Sequence, residues 1–164
     1  MRTVIGVMGG AIVDDDALAH AFRLGQLIAE NDWVLLNGGR NAGVMEASAR
    51  GASDAGGLVI GILPGDSTTG VAPAVDIAIP TGMGDARNAI NVLASRVVVA
   101  LPGGPGTVSE VALALKAGRN VVMLGFPLGV PFATYYERGQ LADASSAEEA
   151  IELVAAFLAE QAPR

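Results

Sequence analysis

Short apolar runs alternate along this chain with longer stretches whose apolar residues return every three or four positions. The runs are residues 3–8, 33–36, 58–63, 75–79, 97–100 and 120–124. Where they carry no regular polar alternation they predict strands buried on both faces. The stretches between them predict helices over 14–31, after Gly43 to about 55, 85–95, 111–117 and 147–160. Leu18, Ala21, Phe22, Gly25 and Ile28 form the apolar stripe of the first helix; His20 falls off it and is expected to be solvated. In the 85–95 helix, Ala86, Ala89, Ile90, Leu93 and Ala94 form the stripe expected to face the core. Arg87, Asn88 and Asn91 share another face, either a ligand site or a solvent-exposed end. Val111 to Leu115 is apolar all round, which predicts burial on more than one side and a subunit contact. Ile151, Val154, Ala155 and Leu158 mark the last stripe.

Strand, turn and helix repeating in this order predict an α/β fold. The expected architecture is a doubly wound, mostly parallel, Rossmann-like sheet in a three-layer sandwich, with residues 1–164 forming one domain. Residues 64–73 read as a loop long enough to cover a ligand. Residues 125–145 read as irregular, their Phe126, Phe132, Tyr135 and Tyr136 either packing a loop or stacking on a ring. Residues 161–164 read as a frayed tail.

Glycine turns follow the first, second and fifth predicted strands, at Gly9-Gly10, at Gly38-Gly39-Arg40 and from Gly103-Gly104 to Gly106-Thr107. Ligands on a doubly wound sheet bind at the carboxyl ends of the strands, so the three turns are expected to converge. Glycines let backbone N–H groups approach an anion, and a helix N-terminus adds unpaired donors and partial positive charge. A competing reading of the third turn is a capping box, Thr107 with Glu110, which needs no ligand. Asp85 reads as a helix cap and Met45 as packing. Asp14-Asp15-Asp16 reads as a cap and first helical turn rather than a metal site.

Composition narrows the chemistry. Charged residues are 16% and apolar residues 51%, a balance that predicts a homo-oligomer. The net charge of −7 argues against nucleic acid as a partner. The absence of Cys and the single His argue against thiolate chemistry, a His metal site and a catalytic triad. Neither a leader peptide nor a membrane span is legible, so the protein is expected to be cytoplasmic. A Walker loop and a pyridoxal-phosphate site each need a lysine, and Lys116 is the one available. The G-x-G-x-x-G fingerprint is absent after the first strand.

Pro102-Gly103-Gly104-Pro105-Gly106-Thr107 running to Glu110, with Arg87 upstream, resembles the superfamily labelled "possible lysine decarboxylase". It includes the Lonely Guy cytokinin-activating phosphoribohydrolases and the molybdenum cofactor carrier proteins. The lack of a credible Schiff-base lysine argues against the decarboxylase label. Arg40 after Gly38-Gly39, Asn88 after Arg87, and the run Glu110 to Ala117 are similar to the carrier branch. That resemblance implies a homotetramer, or a dimer, that binds molybdenum cofactor or a similar phosphate-bearing ligand, with no cofactor or metal of its own required. Gly9, Gly10, Gly38, Gly39, Arg40, Arg87, Asn88, Gly103, Gly104, Gly106 and Thr107 would make the contacts, and oxyanions such as molybdate suit the same donors. The enzyme branch implies the alternative, a nucleoside 5′-monophosphate phosphoribohydrolase with Arg87 and Glu110 as its catalytic residues.

Overall fold

Valine- and isoleucine-rich runs have few polar side chains to keep in water, so they satisfy their backbones sideways, in a sheet covered on both faces. The computed structural model, which describes residues 2–161, shows seven strands. They are β1 (Val4–Met8), β2 (Val34–Asn37), β3 (Leu58–Leu63), β4 (Ile77–Pro80), β5 (Val97–Ala100), β6 (Asn120–Leu124) and β7 (Leu141–Ala144). Of these, β1, β2, β3, β5 and β6 are of this kind. The seven pair in the order β4-β3-β2-β1-β5-β6-β7, every pair parallel. The helices are α1 (Asp15–Glu30), α2 (Gly43–Asp54), α3 (Asn88–Ala94), α4 (Pro105–Lys116), α5 (Ala133–Glu137) and α6 (Ala147–Glu160). A 3-10 turn, Gly84–Arg87, leads into α3.

Alternate residues of the central strands enter two cores. Ile5, Val7, Val97, Val99 and Val122 pack with α1, α2 and α6. Met8, Val98, Ala100, Val121 and Met123 pack on the other face with Val92 of α3 and Val111, Ala114 and Leu115 of α4. α1 starts where Asp14 accepts a hydrogen bond from the Ala17 N–H at 2.8 Å, as the cap reading expects. α1 and α2 lie so close that a Cβ on Gly25 would strike the Ser48 carbonyl, and one on Gly51 the Phe22 carbonyl.

Six expectations change. The stretch 125–145 holds α5 and the edge strand β7, whose Leu-Ala-Asp-Ala sequence lacks the β-branched residues that mark a strand. α4 begins at Pro105, six residues before Val111, because a proline ring presets the dihedral of a first helical position. His20 is half-buried, not solvated. In α3 the expected faces are exchanged: Asn88, Asn91 and Val92 are buried, while Leu93, Ala94 and the preceding Ala86 are exposed. The all-apolar stretch of α4 likewise buries Val111, Ala114 and Leu115 but leaves Ala112 and Leu113 on the outside. On α6, Phe157 and not Ala155 completes the buried stripe. The tail expected from residue 161 lies, from 162 on, outside the described residues.

Candidate functional site

β1 is flanked by β2 and β5, the point from which the chain winds in both directions. The turns leaving these three strands meet at their carboxyl ends, as the fold predicts. The Gly10 N–H donates to the Pro102 carbonyl at 2.9 Å, and the Val44 N–H donates to the Gly10 carbonyl at 3.0 Å. The first turn is thereby tied to the other two.

The second turn hangs on Asn37, the last residue of β2, which is completely buried. Its Nδ2 donates to the Met45 carbonyl at 2.9 Å and to Ser48 Oγ at 3.1 Å, while its Oδ1 accepts from the Gly39 N–H at 2.8 Å. Gly39 takes a φ of +72°, which reverses the chain toward Arg40. The segment after β3 braces this turn from outside: Ala72 N–H donates to the Gly39 carbonyl at 2.9 Å and Arg40 bridges Val71. Residues 64–73 thus support Arg40, and none of them lines the cavity below.

The third turn contradicts the capping-box reading. With Pro105 in the first helical position, the cap is Gly104, and Thr107 and Glu110 both lie inside α4. No side chain caps the helix, and the amides of Gly106 and Thr107 have no carbonyl of the preceding turn to bond. Glu110 faces α3 instead. Its Oε1 accepts from Asn91 Nδ2 at 2.7 Å and from Arg87 Nη1 at 3.4 Å. Asn88 Nδ2 donates to Ser109 Oγ at 3.0 Å. The Arg87 fork lies over Gly38, where a Cβ would come 2.8 Å from Nη2.

These groups enclose a cavity of about 190 Å³. Of the residues singled out from the sequence, Gly9, Gly10, Gly38, Arg40, Arg87, Asn88, Gly104, Gly106, Thr107 and Glu110 line it. Gly39 and Gly103 do not: Gly39 backs onto Gly61, and Gly103 is wedged against Thr107 and Gly10. Met45 and Asp85, read from sequence as packing and as a cap, line the cavity as well. Asp85 makes no capping hydrogen bond, since the 3-10 turn starts before it. Asn37 and Asn91 act behind the lining; Asn91 belongs to the polar face read with Arg87 and Asn88, while Asn37 had no signal beyond its place after an apolar run.

Burial strains the Arg87–Glu110 pair electrostatically. Desolvation raises the Glu110 carboxyl above its ordinary value, against the opposing effects of Asn91 and Arg87. Desolvation also lowers the Arg87 guanidinium; Glu110 opposes this, the nearby Arg40 charge adds to it, and Asp85 opposes it. Burial outweighs the pull of Glu110, so the Arg87 charge is held at a desolvation cost. The Arg87 Nε is buried with no hydrogen-bond partner among the described residues. An anion near Arg40 and Arg87 would offset that cost.

Fold and cavity together define a class: a doubly wound parallel α/β protein whose switch point carries a glycine-lined cavity with two arginines. Within that class the chain belongs to the SLOG cluster4 family, whose profile matches residues 2–152. It is similar to the molybdenum cofactor binding protein of the phototrophic bacterium Rippkaea orientalis, with 50% identity and a TM-score of 0.90 over 96% of this chain and 98% of that one. It is also similar to the molybdenum cofactor carrier protein of Chlamydomonas reinhardtii, with 46% identity and a TM-score of 0.89 over 97% and 99% of the two chains. An uncharacterized protein of Archaeoglobus fulgidus is 45% identical over 133 residues, 81% of this chain and 87% of that one.

Proposed function

We propose that the protein is a binding and carrier protein for molybdenum cofactor or a closely similar phosphate-bearing ligand. The observation that carries this reading is the meeting of Arg40, Arg87 and the uncapped start of α4 in one cavity. Backbone N–H groups and arginine forks are the donors a phosphate needs. The likeness to the proteins of R. orientalis and C. reinhardtii supports the choice of cargo. Molybdate and other tetrahedral oxyanions suit the same donors. The cavity is smaller than the ~300–1,000 Å³ of clefts that enclose a whole ligand. It therefore takes the anionic end, with the rest of the ligand lying across the mouth.

Lys116 lies exposed beside the groove between α3 and α4, away from the cavity, so a Schiff base with a ligand in the cavity has no support. One observation favours the enzyme alternative. Glu110 is not a helix cap but a buried carboxylate facing the cavity, where a phosphoribohydrolase of this superfamily would need it. Titration of the purified protein with molybdenum cofactor tests the first reading: saturable binding supports it, and none removes it. Incubation with AMP and N6-isopentenyl-AMP tests the second. Free base that disappears in Glu110→Gln would make the protein an enzyme.

We also propose that the protein self-associates, as a tetramer or dimer, through the apolar residues of α3 and α4. Leu93 is 57% and Leu113 36% exposed, and both border a groove with Ala89, Val92 and Ala117.

A further inference from the structure

Glu110 is 6% exposed, and both hydrogen bonds it takes from the described residues fall on Oε1. One comes from Asn91, itself fully buried, and the other from Arg87. The charged groups around the carboxylate are few. The 3-10 turn brings Arg87 and Asp85, and Arg40 stands on the turn after β2. α3 brings the neutral Asn91, β1 brings Val7 and Met8, and α4 itself brings Thr107. Arg87 is thus shared between Glu110 on one side and the cavity on the other.

A dianion drawn to Arg87 in a space of about 190 Å³ becomes a near neighbour of the Glu110 carboxylate. Two anions then compete for one guanidinium where little water screens them, and like charges in such a place disfavour each other's ionised form. A proton on Glu110 removes the conflict. It also converts an acceptor into a donor, which the anion's oxygens can use. Asn91 keeps donating to Oε1, so Oε2 is the oxygen free to carry the proton.

We propose, on the reading of this cavity as the site of a phosphate-bearing ligand, that capture is proton-coupled. Glu110 takes a proton from solvent as the anion seats beside Arg87 and returns it as the anion leaves. Burial already holds the carboxyl above its ordinary value, the same direction in which a neighbouring anion pushes it. The coupling makes the ligand tighter at low pH and looser at high pH.

Calorimetric titration with sulfate tests this, because sulfate remains a dianion from about pH 5.5 to about pH 8.5 and cannot itself supply the effect. Repeating the titration in two buffers of unlike ionisation heat counts protons taken up per anion. The expected result is uptake of up to one proton, with affinity falling by up to about tenfold per pH unit across the coupled range. Glu110→Gln should bind without proton uptake, with little pH dependence, and more tightly than the parent protein at alkaline pH. His20, the lone histidine, sits on α1 outside the cavity lining; His20→Gln should keep the uptake. Sulfate binding by the parent protein with no proton uptake at any pH would overturn the proposal and leave the anion site standing. Uptake lost in His20→Gln would overturn it too. So would a Glu110→Gln variant that unfolds normally but binds more weakly throughout, since that marks a mere prop for Arg87. No sulfate binding at any pH would remove the anion site and the coupling together. The proton count on the parent protein needs no variant.

Discussion

Arg87→Ala removes the cationic fork that lies over Gly38 and faces the cavity. Loss of a charged hydrogen bond of this kind costs about 1.5–3 kcal/mol. Molybdenum cofactor or sulfate affinity should therefore fall about ten- to a hundredfold, with the fold intact by circular dichroism. Asn37→Ala acts differently, for it touches no part of the cavity surface. It leaves the Gly39 N–H and the Met45 carbonyl without their buried partner, at a cost of about 1–3 kcal/mol. Urea unfolding should show that loss, and affinity should fall as well because Arg40 loses its anchor. Glu110 gives a prediction with a definite sign. Its carboxyl is held above the ordinary range in the fold, so the folded protein favours the protonated form. Stability from this group is fully present below the ordinary glutamate range and is lost as pH rises through the raised folded value. Glu110→Gln should then unfold at a higher temperature than the parent near pH 8, and the gap should close in acid. At this scale the sequence was a good guide to residues that must be glycine or arginine. It was a poor guide to Asn37, and it marked Asn91 as polar without showing its burial, which depends on Glu110 nineteen residues on.

Gly51→Ala tests the packing of two elements. A methyl group there meets the Phe22 carbonyl of α1, and neither helix can move without dragging its strand. Overpacking of this sort costs about 1–3 kcal/mol, to be read from the urea midpoint at constant slope. The strands were legible because β-branched runs flanked by glycine have few other uses. β7 was not, since Leu-Ala-Asp-Ala becomes a strand only by pairing with β6. The exchange of faces in α3 has a similar cause. Periodicity tells which residues share a face, but not which face turns inward. The polar face of α3 turns inward because Glu110 waits there on α4, a partner that helix spacing cannot reveal. The start of α4 was lost to the same local bias, with Thr107 and Glu110 spaced like a cap while Pro105 had already begun the helix.

Among the exposed large apolar side chains, two lie on neighbouring helices, Leu93 on α3 and Leu113 on α4. Leu93 and Leu113 border one groove, and a chain with 16% charged residues has few charges with which to guard it. If the proposed self-association uses this face, Leu93→Glu combined with Leu113→Glu should shift the species seen by light scattering to a smaller mass. Sulfate should still bind, because neither side chain reaches the cavity. The doubly wound parallel sheet was readable from the alternation of strands and helices. The outward face was not, because a lone sequence does not distinguish a surface meant for water from one meant for another copy.

The pairing of β1 with β5 is also a seam between two halves of the polypeptide. Residues up to Pro80 supply Gly9, Gly38 and Arg40, and residues after Gly84 supply Arg87, Thr107 and Glu110. Between them lies the exposed link Gly82-Met83-Gly84, which belongs to no strand. Cut there, neither fragment owns an anion site, and the two must dock edge to edge to rebuild one. Ligand would act as an adhesive between fragments, so the cleaved protein should behave as a complementation pair whose reassembly reports the presence of its cargo.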